Sequence, residues 1–148
     1  MLAWKILGSV LAGIRELHGI GFYHGDLNYS NIIWNGQSAK FVDIESLGRI
    51  ERTHNIDAGF CYISNDLRDM MSISFLICDI MNPCREEHEL KFEDILDNES
   101  YPEKSRALFQ MYAMLQPLTD PEESRLHVNS ESDIPNVHKL LSIFQTYN

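Results

Sequence analysis

The sequence predicts a mainly α-helical domain with one small β-hairpin, an α+β fold. Three observations predict it. Ile6, Leu7, Val10, Leu11, Ile14 and Leu17 recur at helical spacing. The pair Asn35-Gly36 lies between the apolar runs Ile32-Ile33-Trp34 and Ala39-Lys40-Phe41-Val42, which is a hairpin signal. A second apolar, Met-rich run at 66–81 has the length of a buried helix rather than a strand.

The elements follow in order. Residues 2–18 form the first helix, stopped by Gly19 and Gly21. Phe22-Tyr23 is a short apolar stretch that runs into His24-Gly25-Asp26. In the hairpin, Asn35–Ser38 is the loop and Trp34 pairs with Ala39, so Asn31 falls opposite Val42. Residues 46–65 are polar and contain Gly, and a long loop is expected there. In the helix at 66–81, Met70, Met71 and Phe75 are expected in the core, and Asn82-Pro83 ends it. Residues 85–103 are acid-rich and partly helical, and 103–116 form a helix closed by Pro117. A last helix at 134–146 has Ser132 or Asp133 as its cap and Pro135 in its first turn. With no repeats, low-complexity tracts or linker, residues 1–148 read as one domain. Residues 2–81 hold its motifs and 82–148 form a helical tail.

Composition excludes several functions. The net charge is −10, with 12 basic against 22 acidic residues, which argues against nucleic-acid binding. Residues 1–50 balance, with Lys5, Arg15, Lys40 and Arg49 against Glu16, Asp26, Asp43 and Glu45, so the excess acid lies beyond residue 50. The cluster from Glu86 to Glu103 reads as a solvated face. Cys61, Cys78 and Cys84 have no paired spacing, so neither a disulfide framework nor a zinc site is expected. The uncharged stretch 6–14 is too short to span a bilayer, and Arg15 and Glu16 follow it without a cleavage site. No membrane span is expected, and a cytoplasmic location is.

The chemistry concentrates in 23–45. Asp26 and Asn31 are five residues apart, outside helical contact, so a loop must bring them together. The hairpin places Asn31 and Asp43 at one open end, with Asp26 just upstream. Hard oxygen ligands held this way suit Mg²⁺, which takes one or two protein oxygens together with substrate phosphates. Glu45 is either a further metal or water ligand, sharing a strand face with Asp43, or an exposed strand-end acid.

His24, Asp26, Asn31 and Asp43 together form the pattern His-x-Asp-x4-Asn, a hairpin and an Asp. This stretch resembles the catalytic and metal-binding loops of the protein-kinase-like superfamily. Helix 2–18 resembles the helix that leads into that loop. Asp69, or in another register Asp66, resembles the Asp of the core helix that braces the loop backbone. The resemblance implies the large, C-terminal lobe of a kinase-like fold without the N-lobe sheet. It implies that Asp26 orients an acceptor hydroxyl and takes its proton, and that Asn31 and Asp43 hold Mg²⁺ on the phosphates of ATP. It further implies that His24 packs beneath the loop and orients Asp43.

The departures are specific. Gly25 stands where such kinases usually have Arg, Asn28 where serine/threonine kinases have Lys, and Asp43-Ile44-Glu45 where they have Asp-Phe-Gly. No Ala-Pro-Glu precedes Asp66. The motif style is closer to small atypical kinases and to aminoglycoside and choline phosphotransferases. No Gly-rich loop and no strand Lys for the α/β-phosphates is present as in such kinases, and Lys5 lies on the helix.

The expected function is therefore transfer of the ATP γ-phosphate to a protein or small-molecule hydroxyl, a serine or threonine among them. A partner that supplies an N-lobe, a regulatory protein or a second copy of the chain would assist. The alternatives are an inactive, pseudokinase-like scaffold and a metal-dependent hydrolase using Asp26, Asp43 and Glu45.

Overall fold

Helix α1 (Leu2–Gly19) turns Trp4, Leu7, Val10, Leu11 and Ile14 inward, the stripe its apolar spacing predicts. The computed structural model describes residues 2–55, 60–81, 102–118, 125–128 and 134–148. Against α1 pack α2 (Leu67–Met81) and α4 (Val137–Thr146), and α3 (Glu103–Leu115) packs on α2 and α4. The four helices share one core, to which α2 adds Met70, Ile73 and Ile77, α3 adds Met111 and Leu115, and α4 adds Leu140 and Phe144. The fold class is as predicted, mainly α with short antiparallel strands. No helix among the described residues is long and apolar enough to cross a membrane.

The hairpin is in the expected register. β2 (Ile32–Trp34) and β3 (Ala39–Phe41) pair as Ile32↔Phe41, Ile33↔Lys40 and Trp34↔Ala39. The Asn35 side-chain oxygen accepts from the Gln37 and Ser38 N–H groups at 2.9 and 2.8 Å, and Gly36 supplies the left-handed turn residue at φ 94°. Helix α1 seats the hairpin. Ser9 Oγ accepts from the Ala39 N–H at 2.8 Å, and a β-carbon on Gly13 would lie 2.8 Å from the Phe41 ring.

The β-structure exceeds one hairpin, and the expected loop at 46–65 is corrected. β1 (Phe22–Tyr23) pairs antiparallel with β4 (Gly48–Arg49). β5 (Arg52–Asn55), β6 (Phe60–Ser64) and β7 (Arg125–Val128) make a three-stranded antiparallel sheet in that order. Two of these strands, Gly48–Arg49 and Arg52–Asn55, carry no run of alternating apolar residues. They are strands because of what they pair with, and β6 finds its second partner far along the chain.

Three smaller expectations are also corrected. Phe75 is 54% exposed, because the inward face of α2 runs through Leu67, Met70, Ile73, Ser74 and Ile77. Met70 is buried as expected and Met71 only partly so. Asn136 caps α4, its side-chain oxygen accepting from the Lys139 N–H at 3.0 Å, so Pro135 precedes the cap instead of lying in the first turn. Ser132, Asp133, Cys84 and the acidic stretch 86–99 lie outside the described residues. Cys78 is a free, partly buried thiol.

Helix α4 closes on α1 through aromatic stacking. The Trp4 and Phe144 rings lie 4.4 Å apart at 19°, and a β-carbon on Gly8 would fall 2.4 Å from the Phe144 ring. Gly8→Ala should therefore cost about 1–3 kcal/mol by overpacking, although alanine favours helix over glycine. Phe144→Leu in the same background should recover part of that loss. Urea denaturation measures both, and a stabilised Gly8→Ala would contradict this seating of α4.

Candidate functional site

The site rests on a buried carboxylate. Strand β1 ends at Tyr23, which leaves the next backbone N–H groups without a ladder partner. Asp69, in the first turn of α2 and fully buried, supplies one. Its Oδ2 accepts from the His24 N–H at 2.8 Å and its Oδ1 from the Gly25 N–H at 2.8 Å. Its Oδ2 also lies 2.8 Å from His18 Nε2 at the end of α1. Asp66, the other register, is occupied elsewhere: Arg52 Nη2 donates to its Oδ2 at 2.8 Å and the Ser64 hydroxyl to its Oδ1. Asp69 is thus the residue that meets the loop backbone.

Two sequence features gain a physical reason here. Gly25 has φ 85°, and a β-carbon on it would lie 2.7 Å from the Ser46 carbonyl oxygen, so no Arg fits in this backbone. His18 was not singled out by the sequence reasoning, although it carried a signal. It continues the buried stripe of Leu7, Leu11 and Ile14 at helical spacing, as a polar residue on an apolar face.

His24 is 1% exposed and joins the loop to the hairpin. Its Nδ1 lies 3.2 Å from the Asp26 N–H and its Nε2 3.2 Å from the Val42 carbonyl. A backbone N–H only donates, so Nδ1 is the acceptor and Nε2 carries the hydrogen given to Val42. The ring also meets Phe41 edge-on at 5.8 Å. His24 is thus buried beneath the loop and bonded to the peptide that precedes Asp43.

The loop then brings Asp26 and Asn31 together, as their spacing required. Asn31 is buried in the 3₁₀ turn Tyr29–Asn31, and its Nδ2 donates to Asp26 Oδ2 at 3.1 Å and to the Asp26 carbonyl at 2.7 Å. The Val42 N–H donates to the Asn31 carbonyl at 3.0 Å, which sets these two residues opposite each other. The Asp26 side chain is exposed, and Asn28 Nδ2 donates to its Oδ1 at 3.1 Å.

Asp43 follows at the open end of the hairpin, exposed and with no side-chain capping bond. Its φ of 57° and ψ of 70° make it the sole non-glycine left-handed residue among those described. Such a backbone is uncommon outside glycine and costs about 1 kcal/mol or more. Glu45 does not share a strand face with Asp43. It lies in the 3₁₀ turn Ile44–Ser46, which replaces the strand-end geometry expected there.

Among the described residues no group of three His, Cys, Asp or Glu side chains forms a metal site. The donors that remain suit a cation completed by phosphate oxygens. The Asn31 amide nitrogen is spent on Asp26, which leaves its oxygen for a ligand, and the Asp43 carboxylate is open to solvent.

Tyr29 ties the loop to α2 from the other side. Its hydroxyl donates to the Leu76 carbonyl at 3.4 Å. Burial, followed by the nearby Asp79 carboxylate, pushes its pKa up to about 12.

No family model matches the chain. A probable serine/threonine-protein kinase of Encephalitozoon cuniculi (strain GB-M1) is 31% identical to it over 75 residues, which is 50% of this chain and 14% of that kinase. The chain thus matches a small part of a much longer relative, and the likeness extends to a kinase-like relationship.

Asp69→Asn should destabilise the protein by at least about 2 kcal/mol, because one oxygen can no longer accept from a buried backbone donor. Asp66→Asn should cost less, and urea denaturation of the two variants tests which acid braces the loop. The Tyr29 contribution has a definite sign. A phenol whose folded pKa is raised adds stability that is complete below pH 10 and is lost as pH rises toward about 12. Alkaline unfolding followed by circular dichroism should therefore depend less on pH between 10 and 12 in Tyr29→Phe than in the parent.

Proposed function

We propose that this chain is the large lobe of a kinase-like phosphotransferase, moving the γ-phosphoryl group of ATP to a hydroxyl acceptor. The observation that carries this reading is the Asn31 amide on the Asp26 carboxylate, with the loop and both hairpin ends converging beside it. The partial likeness to a probable serine/threonine kinase supports it.

In this reading Asp26 takes the proton of the acceptor hydroxyl as that oxygen bonds to the γ-phosphorus. The bond from the γ-phosphorus to the bridging oxygen breaks, and ADP leaves. The Asn31 oxygen and the Asp43 carboxylate would hold Mg²⁺, which supplies charge neutralisation on the phosphates. His24 holds the peptide before Asp43 in place through Val42. Glu45, on its turn beside Asp43, is available as a further oxygen ligand.

The Gly-rich loop and the Lys that such kinases place on the nucleotide phosphates are not among these 148 residues, so an element outside them, in the same or another polypeptide, would cover the nucleotide. Ile33 in the middle of β2, and Ile44 and Leu47 in and after the turn that follows Asp43, are exposed. They favour an apolar contact over the site, made by a lobe-supplying or regulatory partner or by a second copy. The same exposed residues favour the second reading, a pseudokinase-like module that works by contact alone.

Asp26→Ala and Asp43→Asn separate the two readings, since asparagine tolerates the left-handed backbone while removing the charge. Both should abolish Mg·ATP-dependent transfer and leave the circular dichroism spectrum unchanged. Residual transfer in Asp43→Asn would remove the metal role. No transfer in the parent, together with a stable complex through the open face, would support the contact module.

A further inference from the structure

We propose that Asn28 is a positioning residue that clamps the Asp26 carboxylate for proton transfer. The inference rests on the phosphotransfer reading above. The Asp26 side chain is exposed, and no cation is bonded to it among the described residues. Left alone, such a carboxylate would sample several rotamers. Two amides hold it instead, one on each oxygen: Asn31 Nδ2 on Oδ2 and Asn28 Nδ2 on Oδ1, both at 3.1 Å. Asn28 Nδ2 also reaches the Asp26 carbonyl at 3.4 Å.

Asn28 is itself fixed. Its side-chain oxygen accepts from the Ser30 N–H at 3.0 Å and from the Ser30 hydroxyl, which caps the 3₁₀ turn Tyr29–Asn31. The amide is therefore divided between two tasks. Its oxygen holds the turn, and its nitrogen holds the carboxylate. Because Asn31 lies at the end of that turn, the same cap also places the second amide. With both oxygens held, the proton of an acceptor hydroxyl meets a carboxylate whose orientation is set before substrate arrives.

The two tasks come apart under substitution. Asn28→Asp keeps an oxygen for Ser30 and loses the donor to Asp26. Asn28→Lys loses the oxygen and keeps a donor. Side-chain rotamer couplings of Asp26, measured by NMR on the full chain, should show one χ1 rotamer in the parent and in Asn28→Lys, and averaging in Asn28→Asp. With Mg·ATP and dephosphorylated casein as the hydroxyl probe, Asn28→Asp should lower kcat about ten-fold or more, with KM for ATP unchanged. Asn28→Lys should recover most of that loss while melting at a lower temperature than the parent.

The opposite ranking, with Asn28→Asp active and Asn28→Lys inactive, would reduce Asn28 to a turn cap and overturn the proposal. Unaltered couplings in both variants would overturn it equally. Rotamer changes as described, in a parent that transfers nothing to casein, would support the clamp as geometry and count against the phosphotransfer reading instead.

Discussion

The Asp69 carboxylate is the constraint on which the rest depends. Burying a carboxylate costs several kcal/mol unless its oxygens are well satisfied. Here the donors are backbone N–H groups of the 24–25 turn and a histidine at the end of α1, and the two N–H groups have no strand partner of their own. Each side needs the other. Removing the acid orphans two buried donors, and moving the turn strands a charge in the core. The end of α1, the start of α2 and the loop between them therefore hold one relative arrangement. The His24, Asp26 and Asn31 positions follow from it through short side-chain bonds.

Much of this arrangement was legible in the sequence because it is local. The stripe Leu7, Leu11, Ile14 marks α1, and Asn35-Gly36 sets the hairpin register. From that register alone the pairing of Asn31 with Val42 followed. What was hidden depends on distant partners. Arg52–Asn55 is a strand because Phe60–Ser64 lies beside it, and no alternation in its own residues says so. Phe75 looked like core by type, but helical phase turns it outward. Glu45 looked like a strand residue by its distance from Asp43, whereas the left-handed backbone of Asp43 turns the chain into a 3₁₀ turn first. His18 is legible as well, since a histidine on an apolar stripe needs a buried acceptor.

The candidate site is held mainly by backbone N–H and side-chain amide donors. Backbone N–H groups and two side-chain amides orient the Asp69 and Asp26 carboxylates, His18 adds a further bond to Asp69, and no Lys or Arg is among the bonded groups described. Coulombic pairs at a surface weaken as salt rises, whereas short neutral hydrogen bonds do so much less. The orientation of Asp26 is in this sense built into the backbone. The charge of the chain, which lies mainly beyond residue 50, acts on what approaches the site more than on its internal geometry.

The bonds from Asp69 to His18, His24 and Gly25 join residues 51, 45 and 44 positions apart. A long loop must close before any of them forms, and closure carries an entropic cost that only the completed helix core repays. Helix α1 and the hairpin are built from residues close in sequence, whereas the turn between them takes its backbone partner from α2. The site is thus not a portable motif. Residues 18–43 grafted onto another scaffold would carry the right side chains and lack the acid that shapes their backbone.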